Sequence, residues 1–294
     1  VSKLNKKHQK PFFLACGIFR PHLPWYAPQK YFDLYPIEEI LLPDILENDL
    51  DDIPREGKEL AAFRRGDFNN IKKSGKWKEA VQAYLACISF ADAQLGRVLD
   101  ALEKNSRDKN TIIIFWSDHG WHLGEKQHWH KSTLWEEATR IPFTVVAPGI
   151  TAAGSKCKRP IDTLCIFPTL LELCKLKPIK GLDGVSIVPL LKDPNMDWKI
   201  PAVSEFRRGQ CAVRSERYRY IRYSDGTSEL YDHSKDPNEW KNISSKEHQG
   251  VIDDLSEFIP KNFAANAPSK GSYEFDPDTY SWTHKKTLKM TKGK

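Results

Sequence analysis

The sequence lacks any apolar run long enough to cross a membrane. Its longest runs, residues 12–19 and 112–116, are well short of the roughly 20 residues that a spanning helix needs, so no membrane span is expected. A strong excess of one charge is also missing, because 45 Lys and Arg residues face 39 Asp and Glu residues and leave a net charge of +6. That mild, interspersed balance is compatible with an anionic substrate and gives no signal for nucleic acid as a partner.

Several short motifs of well-known chemistries are absent as well. None of the six cysteines stands in a Cys-x-x-Cys pair, which argues against a zinc site and against a dense disulfide framework. The chain contains neither the Gly-x-Ser-x-Gly nucleophile motif nor a glycine-rich phosphate loop. It begins at Val1 without an apolar signal segment, so we expect a fragment of a longer protein.

The 294 residues suffice for one large domain, or for a large and a small one. Apolar residues at helical spacing predict a helix over residues 77–103, and the β-branched run at 111–116 predicts a buried strand directly after it. Further apolar patterns predict strands at 11–19 and 141–147 and a helix at 161–173. This order predicts an α/β domain with a largely parallel sheet.

The texture of the chain changes near residue 195. Short aromatic stretches at 212–214, 218–223 and 229–231, separated by polar turns, predict a meander of antiparallel hairpins. We therefore predict a main α/β domain over residues 1–195. A smaller subdomain with an irregular tail is predicted over residues 196–294.

Histidine and tryptophan are concentrated in one short stretch. Four of the nine histidines and four of the nine tryptophans lie between residues 116 and 135, directly after the predicted strand at 111–116. In open α/β sheets, ligands bind at the carboxyl ends of the strands. Position and composition together predict an active-site loop.

Within this loop, Asp118 and His119 offer a carboxylate and an imidazole at the strand end, a pair suited to a divalent cation. The alternative is that Asp118 caps a turn while His119 packs. Lys131 could neutralise an anionic substrate, or be an ordinary surface lysine. His22, fixed between two prolines, could donate a proton to a leaving group or be a simple loop residue. Trp121 could line a sugar pocket or belong to the core.

A set of motifs stands in order along the chain from about residue 11 to residue 242. They are Pro11-Phe-Phe-Leu-Ala-Cys-Gly17, Arg20-Pro-His-Leu-Pro24, Ser117-Asp-His-Gly-Trp-His-Leu-Gly-Glu125, Trp129-His-Lys131, Leu182-Asp-Gly-Val-Ser186 and Glu229-Leu-Tyr-Asp232 with Asp236-Pro-Asn-Glu239. Together they resemble the type I sulfatases, and most closely the iduronate-2-sulfatase-like branch. The joint occurrence is far more specific than any single motif.

The resemblance implies an alkaline-phosphatase-like α/β sandwich with a largely parallel central sheet and a small C-terminal antiparallel sheet. It implies a calcium ion (Ca²⁺) held in part by Asp118 and His119, and a formylglycine nucleophile that attacks sulfur. Lys131 matches an active-site lysine of the family, and His22 matches the histidine at the leaving group. Trp121 of the Ser117–Glu125 motif and His130 of the Trp129–Lys131 motif are the implied substrate-binding residues.

The nucleophile motif of the family, Cys-x-Pro/Ala/Ser-x-Arg, does not occur at Cys16, Cys165 or Cys211. In family members this motif and an early Asp pair lie upstream of the strand that matches residues 11–19. We therefore expect this chain to be the C-terminal part of a sulfatase, inactive alone. The resemblance further implies a sulfated carbohydrate or another sulfate ester as substrate, and an exported protein, extracellular, periplasmic or lysosomal. The oligomeric state stays open.

Two other hypotheses remain. One is a non-catalytic binding protein built on the sulfatase scaffold, which predicts that the chain folds stably by itself. The other is a phosphatase or phosphodiesterase of the same superfamily, since the metal-dependent chemistry is shared. A sulfatase is favoured over the binding protein because a sheet without its early strands would expose unpaired edges and apolar faces.

Overall fold

A computed structural model describes residues 1–6, 10–63, 65–264, 273–276, 278–279, 281–287 and 290–292. They belong to two compact units, Val1–Ile259 and Pro260–Lys294. The helices are α1 (Gln29–Phe32), α2 (Arg55–Ala62), α3 (Arg65–Lys73), α4 (Trp77–Lys104), α5 (Glu136–Thr139), α6 (Ile166–Leu173), α7 (Val188–Lys192) and α8 (Gln249–Ser256). The strands are β1 (Ile113–Trp116), β2 (His122–Leu123), β3 (Trp129–His130), β4 (Phe143–Val146), β5 (Ala202–Arg207), β6 (Gln210–Arg214), β7 (Tyr218–Arg222), β8 (Ser228–Asp232), β9 (Tyr273–Asp276), β10 (Ser281–His284) and β11 (Met290–Lys292).

The long helix α4 confirms the strongest periodic pattern of the sequence. Val81 and Leu102, two members of the predicted apolar stripe, are buried. Glu79 in the first turn and Lys104 in the last turn both complement the helix dipole. None of the helices in the described ranges is both long and apolar enough to cross a bilayer.

The strands predicted at 111–116 and 141–147 are present as β1 and β4, but they pair antiparallel, with Ile113 opposite Val146. The largely parallel arrangement is therefore not found for this pair, and every strand pair in the described residues is antiparallel. The expected full burial is also absent, since Trp116 is 46% exposed. A strand is covered on both faces only where neighbouring elements lie over it.

The prediction of a buried strand over residues 11–19 is wrong for the structure. This stretch has no strand partner within the described part of the chain, and Phe13 is 85% exposed. An apolar run favours a strand, but the strand forms only when another backbone supplies its hydrogen bonds. The stretch nevertheless leads directly into the loop that carries His22.

The antiparallel meander is confirmed as a four-stranded sheet in the order β5-β6-β7-β8. The edge strand β5 was not predicted, because its half-exposed pattern with Glu205 and Arg207 lacks the apolar signal of a central strand. This sheet lies within the first compact unit, and the predicted domain boundary near residue 195 stays a prediction. In the second unit the described residues form a three-stranded antiparallel sheet, β11-β10-β9, where an irregular tail was expected.

One apolar core packs the four-stranded sheet β5–β8, called the C-terminal sheet below, against α2 and the histidine-rich loop. Its buried members include Leu60, Leu134, Trp135, Ile221 and Tyr231, which come from segments far apart in the sequence. All five are at most 1% exposed. This core fixes the histidine-rich loop relative to the sheet.

We predict that Leu60→Ala lowers the free energy of unfolding of the chain by about 2–5 kcal/mol, because it removes a buried side chain and leaves a cavity. Leu41→Ala is the matched control, since Leu41 is 87% exposed and should change stability by less than about 0.5 kcal/mol. Urea unfolding followed by circular dichroism measures both. Equal effects of the two substitutions would contradict the position assigned to this core.

Candidate active site

His22 lies in a loop that its own backbone holds rigidly. The Trp25 indole Nε1 donates to the carbonyl of Pro21 at 2.7 Å, and the His22 amide donates to the Phe19 carbonyl at 3.1 Å. The ring Nδ1 of His22 is 2.8 Å from the carbonyl oxygen of Leu23. A carbonyl oxygen only accepts, so Nδ1 carries the hydrogen and Nε2 keeps its lone pair.

The ammonium group of Lys131 contacts this lone pair. Its Nζ is 2.6 Å from His22 Nε2, although the two residues are 109 positions apart. The neighbours of Lys131 on both sides, His130 (φ 87°) and Ser132 (φ 76°), have left-handed backbone conformations that non-glycine residues adopt only when the surroundings impose them. The ring of His128 contacts the Lys131 carbonyl through Nε2 at 2.9 Å. We call residues 126–132 the lysine arm.

Asp118 and His119 follow β1 directly, at the strand end. His119 Nδ1 is 2.8 Å from the Gly120 carbonyl, so Nδ1 is protonated and Nε2 again presents a lone pair, 3.8 Å from Asp118 Oδ2. The Gly120 amide donates to the carbonyl of Ala138 in α5 at 2.8 Å. A Cβ at Gly120 would lie 2.0 Å from the Glu137 carbonyl oxygen, so only glycine fits there. We call residues 117–121 the carboxylate turn.

The donor chemistry of this turn fits a divalent cation. The Asp118 side chain is 85% exposed and offers hard carboxylate oxygens, while His119 Nε2 is available as a neutral ligand oriented by the bond of Nδ1. Ca²⁺ takes about six to eight ligands. Asp118 and His119 can therefore hold part of a calcium coordination sphere, and the remaining ligands must come from elsewhere.

Trp121 is the ring around which the predicted site residues gather. Its ring centroid lies 5.9 Å from that of His22, 6.1 Å from that of His119 and 4.9 Å from that of His130. The Lys131 ammonium is 5.6 Å from the same centroid, a cation–π distance. All six residues predicted for the site thus form one connected group. Trp121 is only 8% exposed, and its Nε1 has no hydrogen-bond acceptor among the described residues.

His130 has a partner that the sequence did not suggest. Its Nε2 is 2.9 Å from Oδ2 of Asp67, which lies on α3. A carboxylate at this distance orients the imidazole ring. His130 therefore presents an oriented imidazole beside Trp121. No local pattern links Asp67 to a residue 63 positions away, so only the fold reveals this pair.

The other two histidines of the loop are structural. His122 is fully buried, its Nε2 is 2.7 Å from Thr133 Oγ1, and burial together with the neighbouring His128 holds its pKa well below the ordinary value. His128 bridges the Ala61 and Lys131 carbonyls through its two ring nitrogens. The clustering of histidines predicted an active-site loop, but it did not distinguish the histidines that contact Trp121 from those that pack behind it.

A second group of possible metal ligands lies elsewhere and is already neutralised. Ligand atoms of Glu136, His233 and Glu239 come within 4.8 Å of one another. Arg219 contacts both carboxylates, and Arg214 contacts Glu136 and the His233 ring. Two guanidinium groups supply the positive charge that a metal would bring, so we interpret the group as an ion-pair network.

Comparisons with known proteins agree with the resemblance of the sequence motifs. The family model "Sulfatase" matches residues 1–176, and the model "N-sulphoglucosamine sulphohydrolase, C-terminal" matches residues 124–263. A "Sulfatase" of Formosa agariphila is 41% identical over 279 residues, which covers 94% of this chain and 55% of that protein. The iduronate 2-sulfatase of Mus musculus is 34% identical over 216 residues, covering 65% of this chain and 39% of that protein.

Structural comparison supports the same fold. A solved protein in complex with its substrate D-glucosamine-2-N,6-O-disulfate superposes with a TM-score of 0.62 at 24% identity, over 81% of this chain and 62% of that chain. The α/β class predicted from the sequence, of the alkaline-phosphatase-like type, is confirmed by such neighbours. This chain spans about half the length of the curated relatives it matches.

We predict a pH effect from Glu137, whose pKa is raised from 4.5 to about 8 by burial and by the charges of Glu239 and Glu125. Between these two values the folded chain binds more protons than the unfolded chain, so Glu137 lowers stability as pH rises and its effect levels off above about 8. Glu137→Gln should therefore stabilise the chain increasingly from pH 5 to 8, by at most about 1.4 kcal/mol per pH unit. Urea unfolding at several pH values measures it.

Glu79→Gln is the control of opposite sign. The pKa of exposed Glu79 is lowered by a backbone hydrogen bond and by Lys76, so its replacement should cost a little stability above pH 4.5. A Glu137→Gln curve that stays parallel to the wild-type curve from pH 5 to 8 would refute the prediction.

We also predict that Gly120→Ala destabilises the chain by about 2–3 kcal/mol or more, because the new Cβ must displace backbone atoms of α5. Gly17→Ala, with no atom within 4 Å of its Cβ, is the matched control and should stay within about 1 kcal/mol of wild type. Thermal unfolding compares the two. Wild-type stability of Gly120→Ala would mean that the carboxylate turn is not packed on α5 as described.

Proposed function

Because this chain belongs to the sulfatase family, we propose that the complete protein hydrolyses sulfate esters at the site around Trp121. The observation that carries the proposal is the 2.6 Å contact between His22 Nε2 and Lys131 Nζ. This contact joins the His22 imidazole, which can carry a proton, to the Lys131 ammonium group. The ring of His119, next to Asp118, contacts the rings of both His22 and Trp121. Such a set is suited to a substrate that is anionic and that needs a proton on its leaving oxygen.

Lys131 is the proposed electrostatic partner of the sulfate oxygens. An ammonium group is a compact charge, and its three donors can serve His22 and a bound oxyanion together. The left-handed residues on either side hold the lysine arm in its conformation before substrate arrives. Preorganised charge of this kind stabilises a transition state without a reorganisation cost during the reaction.

His22 is the proposed proton donor to the leaving oxygen. Its Nδ1 hydrogen is committed to the Leu23 carbonyl, so proton exchange takes place at Nε2, the atom that faces Lys131. A protonated Nε2 can donate to the ester oxygen as the S–O bond breaks, and the lone pair is restored when the proton has left. The fixed Nδ1 bond keeps the ring in one orientation through both states.

Asp118 and His119 would provide some of the ligands of a calcium ion. When bound, that ion acts as a Lewis acid toward the sulfate oxygens. The resemblance to the family implies that formylglycine, formed from a cysteine, supplies the nucleophilic oxygen. The six cysteines of this chain do not stand in the motif for that conversion, so the proposal assigns the nucleophile to sequence outside these 294 residues.

The substrate class we propose is a sulfated carbohydrate. The printed names of relatives point this way, since one acts on iduronate 2-sulfate groups and one solved structure holds a disulfated glucosamine. In this chain the oriented imidazole of His130, beside the largely buried Trp121, is suited to the polar rim of a sugar ring. We further propose that the protein is exported from the cytoplasm, as an extracellular, periplasmic or lysosomal enzyme.

We predict that Lys131→Ala and His22→Ala, made in the complete protein, each reduce kcat/KM for an aryl sulfate by at least about 100-fold, since each removes a group that acts only as charge develops. Lys109→Ala, an exposed lysine in the turn after α4, is the control and should retain wild-type turnover. Sulfate release over time measures the effect. Undiminished turnover in both variants would refute the assigned roles.

Two accompanying measurements make the result decisive. Peptide mapping by mass spectrometry, on cell-associated and exported fractions, must find a cysteine of the complete protein converted to the aldehyde. Phosphate and sulfate monoesters of the same alcohol are then compared on the same preparation. Preferential hydrolysis of the phosphate ester would replace the sulfatase proposal by the phosphatase alternative.

A further inference from the structure

Glu239 is a buried acid outside the predicted site residues, and its hydrogen bonds connect it to both halves of the site. It lies in the turn after β8, has no exposed surface and adopts a left-handed backbone with φ 58°. The turn is stabilised from within, because the Asp236 carboxylate accepts the amides of Trp240 and Lys241 at 3.0 and 2.8 Å. The C-terminal sheet therefore presents Glu239 in a fixed position.

The side chain of Glu239 holds the start of α5. Its Oε2 accepts the backbone amide of Glu136 at 2.9 Å, the first residue of that helix. Two residues later in the same helix the Ala138 carbonyl accepts the Gly120 amide at 2.8 Å, and the space at Gly120 admits no side chain. A displacement of α5 would therefore be transmitted to the carboxylate turn.

The main chain of Glu239 holds the lysine arm. Its carbonyl accepts a hydrogen bond from Lys126 Nζ, and the same ammonium lies 2.7 Å from Oδ1 of Asp49. Lys126 is 1% exposed and has a left-handed backbone with φ 53°, so neither its position nor its conformation is that of a surface lysine. Five residues further along the chain is Lys131.

The charge of Glu239 is maintained despite its burial. Burial alone would raise the pKa of this carboxyl, but Arg219 and His233 outweigh it and lower the pKa to about 2. Arg219 Nε and His233 Nε2 lie 2.5 and 2.8 Å from Oε1, which leaves Oε2 for α5. An ionised carboxylate accepts at both oxygens, whereas an amide in its place would turn a donor toward one of these N–H groups.

We propose that Glu239 is a positioning residue that fixes the carboxylate turn and the lysine arm relative to each other. The two halves contact each other at the Trp121 ring, but the backbone pairing between them in the described residues is only the two-residue ladder of β2 with β3. Glu239 reaches one half through α5 and the other through Lys126. The consequence for catalysis rests on the proposed function, while the geometric claim does not.

The test uses ¹⁹F NMR of the chain labelled with 5-fluorotryptophan, because Trp121 lies in the carboxylate turn and Trp129 lies in the lysine arm. Resonances are assigned with Trp121→Phe and Trp129→Phe. In Glu239→Gln we expect both resonances to move by more than their linewidths. Asp232→Asn is the matched control, because Asp232 is a buried acid on β8 whose charged partner, Arg217, directly precedes β7 of the same sheet.

Two outcomes would overturn the proposal. One is a Glu239→Gln protein that melts at a lower temperature yet keeps both wild-type resonances, which would assign Glu239 to sheet stability alone. The other is an equal movement of the Trp121 resonance in Asp232→Asn. Should Glu239→Gln fail to fold, the double variant Lys126→Met with Asp49→Asn removes only the link to the lysine arm and should move Trp129.

Kinetics of the complete protein give the second readout. Glu239→Gln should lower kcat by about 100-fold with a much smaller change in KM, the effect expected of reacting groups displaced by about 1 Å. Asp232→Asn should keep wild-type kcat. A complete wild-type protein that releases no sulfate would refute the proposed function, whereas the ¹⁹F comparison would still decide the positioning role.

Discussion

A carboxylate removed from water survives in a folded protein only where cations and hydrogen-bond donors replace its hydration shell, and Glu239 satisfies this condition with groups from distant segments. Arg219 on β7 and His233 after β8 supply positive charge or ring N–H, and the amide of Glu136 supplies a backbone donor. Losing any one of them would leave a buried charge partly uncompensated. These interactions therefore stabilise the folded arrangement in which α5 and the four-stranded sheet β5–β8 are in contact.

Local patterns predicted the elements whose stability is mostly local. The helix α4 and the hairpins β6–β8 were predictable because their periodicity and turn residues act within a few positions. The stretch at 11–19 was not, because Phe13 and its neighbours become a strand only through a partner backbone that the sequence pattern does not specify. The antiparallel pairing of β1 with β4 is likewise a property of the tertiary structure, not of either segment.

The site divides in the same way. Composition and position after a strand predicted the carboxylate turn with Trp121. The contact between His22 and Lys131 could not be predicted, since nothing in the spacing of residues 109 positions apart indicates it. Asp67 and Lys126 carried no signal, because an acid on a short helix and a lysine in a loop are ordinary surface residues in the absence of the fold. In the sequence, Glu239 stood out only as the last residue of the motif Asp236-Pro-Asn-Glu239.

Backbone strain shows where the fold imposes geometry on the site. Of the seven non-glycine residues with positive φ among the described positions, Lys126, Gln127, His130 and Ser132 lie in the lysine arm and Glu239 faces it. Conformations of this kind cost of order 1–3 kcal/mol each and persist only where neighbouring contacts over-determine them. In this chain those contacts are the buried Lys126 ion pair, the His128 bridge and the Asp67 partner of His130. The position of Lys131 beside His22 is thus a result of packing around the arm rather than of the arm's own conformational preference, and the C-terminal sheet is part of the machinery that produces it.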